Sequence, residues 1–148
     1  MTGWQVRCAV REEAALLAAI EKAAFGDKGW GAEGVAGGFD AAGVEILVAS
    51  LPDAPPEGLA IWRALPGEAE LLSIGVVEKA RGRGAGAALL SAVIAAARST
   101  SADAIFLEVD PANAPALRLY GRAGFTETAR RKAYYRSGAD AVIMRKSL

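Results

Sequence analysis

The 148-residue chain contains no histidine and a single cysteine, Cys8. Without an imidazole, neither a Ser-His-Asp nor a Cys-His hydrolytic constellation can be built. One thiol forbids an internal disulfide and leaves only carboxylates as metal ligands, so no metal site is expected. Aromatic residues make up 7% of the chain, and 34 of the residues counted as hydrophobic are alanine. Large apolar side chains are therefore ordinary in number, and the length fits one soluble domain over residues 1–148. A domain of this size buries roughly 70% of its unfolded surface, enough for a core without staples. The longest uncharged run in a helical pattern, Gly84–Ala97, has 14 residues, short of the ~18–20 that span a bilayer. Nor do the first 13 residues carry the apolar run of a signal peptide. No membrane partner and a cytoplasmic location are therefore expected.

Net charge is zero, which argues against a general nucleic-acid binder. The charge is unevenly spread, however. Residues 1–80 carry 6 basic and 12 acidic groups, whereas residues 81–148 carry 11 and 5. Such asymmetry fits an anionic ligand held by the C-terminal part, or a solvated surface with chance clustering.

Hydrophobic periodicity orders the chain as strand, helix, loop, three strands, helix, strand, helix and two strands. Trp4–Val10 alternates, and Arg11–Ala24 repeats at helical spacing. Gly26–Gly43, with seven glycines, reads as a loop with at most one short helix. Val44–Ser50, Gly58–Leu65 and Ala69–Val77 read as strands, the last two a hairpin turning at Pro66-Gly67. After the charged, glycine-rich loop Glu78–Gly86 comes a helix with Leu89, Leu90, Val93, Ile94 and Ala97 on one stripe. Ala104–Val109 is apolar on both faces, as an interior strand is. Asn113 is suited to cap a short helix that Pro115 helps open, and Gly124 to end it in the left-handed region before Phe125 starts a strand. Ala141–Met144 closes the order. Mixed hairpins and crossovers give an α+β class with a mixed sheet.

The run Arg81-Gly82-Arg83-Gly84-Ala85-Gly86 joins a strand to a helix, where free backbone amides suit phosphate and two arginines add charge. No Gly-Lys-Ser/Thr follows, so it is not a Walker loop. A Rossmann turn would follow its strand directly and needs more chain than the 61 residues after Ala87. Read as Arg81-x-x-Gly84-x-Gly86, the run resembles the pyrophosphate loop of the GNAT superfamily of N-acetyltransferases. Asn113-x-x-Ala116-x-x-Leu119-Tyr120-x-x-x-Gly124-Phe125 resembles that superfamily's second hallmark, with a strand between the two. Within it, Glu70–Val76, Leu107-Glu108-Val109, Arg130–Tyr135 and Asp140–Met144 look like the RimI-like ribosomal-protein alanine N-acetyltransferases. Residues 69–148 carry the similarity well and residues 1–68 in outline. The glycine-rich segment 26–43 departs from the group's helix pair, which puts the substrate in doubt.

The resemblance implies a mixed, mostly antiparallel central sheet of six to seven strands flanked by about four helices. It implies acetyl-CoA as co-substrate, with no metal, and a small ribosomal protein's N-terminus as acceptor partner. Gly82, Arg83, Gly84, Ala85, Gly86 and Ala87 would hold the pyrophosphate, and Asn113 would contact the cofactor or merely cap its helix. Ile74, Gly75 and Val76 would offer main-chain groups to the pantetheine arm; a glycine inside a strand also marks a bulge or a close approach.

Moving an acetyl group from a thioester to an amine needs a base for the amine and an acid for the departing sulfur. Glu108, the one carboxylate in an apolar strand, is the candidate base, or else a strand-end carboxylate paired with an arginine. Tyr120, a phenol with a usual pKa near ~10, occupies the family's general-acid position, or else is an ordinary core tyrosine. Neighbouring strand residues face opposite sides, so one of Tyr134 and Tyr135, with Tyr134 preferred, would wall the acceptor site. Arg130, Arg131, Lys132 and Arg136 form a basic run that grips a partner or is simply solvated. Cys8 reads as a small core residue, so transfer is expected to be direct. A small-molecule amine acetyltransferase and a non-catalytic acyl-CoA-binding module are the alternatives.

Overall fold

The computed structural model describes residues 3–135 and 138–148. Its strands are β1 (Gln5–Cys8), β2 (Val44–Ser50), β3 (Gly58–Leu65), β4 (Glu68–Val76), β5 (Ala104–Val109), β6 (Thr126–Arg131) and β7 (Ala141–Ser147). The helices are α1 (Ala14–Phe25), α2 (Gly31–Gly38), α3 (Ala85–Ser99) and α4 (Ala114–Arg122). The strands form one seven-stranded sheet in the order β1-β2-β3-β4-β5-β7-β6, parallel only between β4 and β5.

The central strands are buried on both faces, and their alternation feeds two cores. Leu47, Ala49, Ala60 and Trp62 pack beneath the α3 stripe of Leu89, Leu90, Val93 and Ala97. Their neighbours Ile46, Val48, Leu59 and Ile61 turn the other way, onto Leu17 and Ile20 of α1 and Val35 of α2. A period of two on each strand thus feeds two helical layers, which explains the near-continuous apolar runs of β2 and β3.

Most expected elements appear where the pattern puts them, and the exceptions have physical causes. β1 covers only Gln5–Cys8 because Val10 already caps a 3₁₀ turn at Arg11–Glu13 that leads into α1. Cys8 is exposed on this edge strand and is not a core residue as expected. Among the titratable groups facing it is Glu45, which together with partial burial raises the thiol pKa; this is the opposite of activation. Of the basic run, Arg136 lies outside the described residues.

The short helix in the glycine-rich segment needs explaining, since four of its eight residues are glycine and each costs about 1 kcal/mol of helix propensity. Its anchor is Glu21 of α1, which is 1% exposed. The Glu21 carboxylate accepts the N–H groups of Trp30 at 2.7 Å and Gly31 at 2.8 Å, placing negative charge at the N-terminus of α2. A Cβ on Gly29 would sit 2.8 Å from that carboxylate, so the loop closes over it only with glycine. Glu21→Ala is expected to destabilise the protein by about 3 kcal/mol through two stranded amides and the space left behind. Urea unfolding measures the loss, and amide exchange should localise it to α2.

Candidate functional site

The site begins with a strand pair that stops pairing. β4 and β5 register only over Glu68–Glu70 against Ala104–Phe106. Beyond that point β4 runs on to Val76 and β5 to Val109 without a shared ladder. The bend has a local cause: Ile61 opposes Ser73 and Trp62 opposes Leu71, leaving Leu72 as an extra residue in β4. A bulge of this kind increases twist and turns a strand away from its neighbour.

The opening is a cleft of about 630 Å³. Ile74, Gly75 and Val76 form one wall, and Gly82, Gly84, Ala85, Gly86 and Ala87 form its end. Asn113, Pro115, Leu119 and Tyr120 form the opposite wall, with Ala24 and Phe25 of α1 at the rim. Gly82 and Gly84 sit at φ +77° and +94°, which a residue with a Cβ would adopt only with strain. α3 has no side-chain cap, and the Ala88 N–H bonds to the Gly84 carbonyl in its first turn. The amides of Ala85, Gly86 and Ala87 therefore lack helical acceptors and lend the cleft end a partial positive charge. Asn113 does cap α4, its Oδ1 accepting the Ala116 N–H at 3.2 Å, while also lining the cleft.

Two arginines differ from their expected parts. Arg83 does not line the cleft; its exposed side chain lies outside and its carbonyl accepts a bond from Trp4. Arg81 lines the cleft but is a clamp: Nε donates to the Val76 carbonyl and Nη2 to the Ala24 carbonyl, at 3.0 Å each. It ties the end of β4 to the end of α1. The positive side chains left on the cleft are Arg118 and Arg122 of α4, neither with an ion-pair partner among the described residues. Gly75 marks a close approach, though by protein: a Cβ there would meet the Phe25 ring at 2.6 Å and the Ala24 Cβ at 3.0 Å. Gly75→Ala is expected to cost about 1–3 kcal/mol by overpacking and to raise the apparent Michaelis constant of any ligand seated beside Phe25. A thermal melt and a ligand titration check the two halves of this statement.

Tyr120 is 6% exposed, and its ring meets Phe125 edge-on at 5.9 Å. Burial, with a smaller effect of Tyr135, pushes its phenol up to about 12. Glu108 of β5 has its side chain 26% exposed and its Oε1 3.2 Å from Arg131 Nη1. The strand pattern explains this pair: Glu108 opposes Ile143, which opposes Ala129, and Arg131 lies two residues on, on the same face. The arginine-paired arrangement weighed for Glu108 is thus present, and its apolar strand encloses it only in part.

Of the two tyrosines, Tyr134 is 49% exposed beneath the Arg131 guanidinium, 5.1 Å from the ring centroid. Tyr135 is the half-buried one; its pKa is raised by burial and then by the charges of Glu108 and Asp110. Burial and charge thus set Tyr135 apart from the exposed Tyr134 preferred for the acceptor wall, and couple it electrostatically to both Glu108 and Tyr120. β6 ends at Arg131 and Ala133 turns at φ +51°, so strand alternation does not reach these residues. In the sequence Arg81 reads as charge for the loop, Arg131 as one of a basic run and Tyr135 as the second choice after Tyr134, while Glu21 carries no signal of its part. Among the described residues no cluster of three or more potential metal ligands exists, and no helix is long and apolar enough to cross a membrane.

The acetyltransferase (GNAT) family model matches residues 47–125, more than half of the chain, from β2 through both cleft walls. The chain belongs to this family. More particular likenesses follow from single relatives. An N-alpha-acetyltransferase of Sulfurisphaera tokodaii is 40% identical over 75 residues, covering 50% of this chain and 45% of that protein. The N-alpha-acetyltransferase RimI of Mycobacterium tuberculosis is 42% identical over 87 residues, covering 58% and 53%. The matched part thus spans about half the length of these relatives. The crystal structure of a ribosomal-protein alanine N-acetyltransferase from Escherichia coli superposes with TM-score 0.87 at 25% identity, over 97% of this chain and 93% of that one. A putative acetyltransferase from Salmonella typhimurium, solved with its cofactor acetyl-CoA, shares the fold with TM-score 0.80 at 23% identity, over 99% and 94%.

Proposed function

We propose that the protein is an acetyl-CoA-dependent N-acetyltransferase whose acceptor is the α-amine of a protein N-terminus, specifically the N-terminal alanine of a small ribosomal protein. The observation that carries the reading is the wedge between β4 and β5. It leaves a strand edge on one side, uncapped helix amides at one end and a buried phenol on the opposite wall, while β5, which carries Glu108, diverges from β4.

The parts fit an acyl-CoA. The free edge of Ile74–Val76 offers main-chain groups to the amides of a pantetheine arm, as an added strand would. The N–H groups of Gly82 and Gly84–Ala87 face a diphosphate. Arg118 and Arg122 stand where negative charge further out would lie. A second opening of about 480 Å³ adjoins the first through Ala87, Leu119 and Arg122, and Arg98 and Lys146 also line it; it lengthens the basic side for a nucleotide's phosphate.

The reaction forms one C–N bond and breaks one C–S bond. Glu108 takes the proton that the attacking amine gives up, directly or through a water. An α-amine, at pKa about 8, needs only a weak base, whereas a lysine side chain is some two units harder to deprotonate. Tyr120 donates a hydrogen bond to the departing sulfur. Exposed Cys8 lies on the far edge strand, so the acetyl group passes directly and not through an acyl-enzyme.

The test is acetyl transfer to a peptide beginning with alanine, beside the same peptide N-terminally blocked and a panel of polyamines, amino acids and aminoglycosides. Transfer to the free peptide alone is expected. Transfer to small amines alone would make this a small-molecule enzyme, and tight acetyl-CoA binding without any transfer would make it a binding module.

A further inference from the structure

The indole N–H of Trp4 donates to the carbonyl of Arg83 at 2.9 Å, across 79 residues of sequence. Trp4 precedes the edge strand β1, and its half-buried ring packs against the core on the α3 side of the sheet. No described peptide bond is cis. In a planar trans peptide the C=O and the next residue's N–H point in opposite directions. A bond that fixes the Arg83 carbonyl therefore fixes the direction of the Gly84 N–H. Gly84 lines the cleft and Arg83 does not, so this N–H belongs to the cleft side. The loop needs such a hold: with Gly82 and Gly84 flanking Arg83, its backbone has wide freedom and would lose it on meeting a ligand.

We propose that Trp4 is a positioning residue for the anion-binding loop, presetting the Gly84 N–H for a diphosphate from outside the cleft. The inference rests on the reading of the cleft given above and extends it to a segment of chain that the family match does not include. Trp4 touches no reacting atom. Its contribution is to affinity for the diphosphate-bearing donor and to no other step.

The experiment compares wild type with Trp4→Phe, which keeps an aromatic ring in the core and removes the indole donor. Dissociation constants for coenzyme A and for inorganic pyrophosphate are expected to rise about fivefold, the worth of one neutral hydrogen bond. The Michaelis constant for acetyl-CoA should rise with them, while kcat and the acceptor's Michaelis constant hold. S-acetylpantetheine, which lacks the diphosphate, should be used equally well by both proteins. Unchanged affinities in the variant would overturn the inference, as would an equal loss with S-acetylpantetheine, which would show a merely structural role. Wild-type protein that bound no coenzyme A would instead overturn the reading of the cleft itself, and the inference with it. Should Trp4→Phe not fold, the Trp4 indole N–H resonance of wild-type protein, assigned by elimination with Trp30→Phe and Trp62→Phe, gives the same answer. It shifts on titration with pyrophosphate if the coupling exists and stays fixed if it does not.

Discussion

Tyr120→Phe is expected to lower turnover at least tenfold while leaving acetyl-CoA affinity within about twofold. The substitution keeps the ring against Phe125 and removes one buried hydroxyl, so the fold has little reason to respond. The phenol is held near 12 mainly by desolvation, whereas a thiol titrates at about 8.5. Tyr120 is therefore a poor donor to a solvated thiolate. Its value lies in a hydrogen bond that strengthens as the sulfur gains charge inside the cleft, with proton transfer completed only while that charge stays desolvated. A hydrogen bond to a charged group is worth about 1.5–3 kcal/mol, which is roughly 10- to 150-fold in rate.

The same shift fixes the pH behaviour. Tyr120 keeps its proton in the folded protein up to about 12, while in the unfolded chain it ionises from its usual value near 10. Its contribution to stability is thus complete below pH 10 and is lost as pH rises toward 12. Turnover should climb as the acceptor's α-amine deprotonates near pH ~8 and then stay level to pH 10, with no alkaline fall from loss of the acid. A pH–rate profile of wild type that declined with a midpoint near 9 would remove Tyr120 as the proton-bearing group.

What was legible in the sequence was whatever local chemistry dictates. The Asn113 cap, the left-handed Gly124 at φ +95° and the free helix start after Gly84 follow from residue types at fixed offsets. The limits of β2, β3 and β5 follow from apolar runs. The α3 stripe packs as its spacing says. The parts that escaped are those set by partners far along the chain. Arg83 looked like phosphate charge because charge is visible in a sequence and direction is not; its peptide is turned by a tryptophan 79 residues away. Arg81 reads in sequence as part of the loop, but its guanidinium bonds across to α1. Glu21 sits on an amphipathic helix with no sign that loop amides nine and ten residues on would close over it. Tyr134 and Tyr135 show the limit of alternation: the rule holds within a strand, and β6 stops short of both. These long-range contacts are invisible to a local reading, and α1, α2 and β6–β7 lie outside the family match. The chemistry was therefore easier to read than the substrate.

Glu108→Gln is the sharper test of the mechanism, with turnover expected to fall at least tenfold and acetyl-CoA binding to stay near wild type. Glu108 is not among the residues lining the cleft, so donor binding has no direct use for it. Glutamine keeps the size and one oxygen for Arg131 but cannot take a proton from an amine. The competing account makes Glu108 a structural partner of Arg131, and magnitude separates the two. Both side chains of that pair are partly open to solvent, 26% and 54% exposed, and ion pairs of this kind contribute about 0–1 kcal/mol to stability. A structural role would therefore show as a melting point lowered by a few degrees and a nearly normal rate. A base would show as the reverse, a steady melting point and a rate that collapses at every pH where the amine is still protonated. Arg131→Met completes the comparison, because it breaks the same ion pair while keeping the carboxylate. If Arg131→Met loses as much turnover as Glu108→Gln, the pair acts as a unit and orientation of the carboxylate is essential. If it retains turnover while Glu108→Gln does not, proton transfer belongs to Glu108 alone. A Glu108→Gln protein as fast as wild type would leave the amine to deprotonate in solvent and remove Glu108 from the reaction.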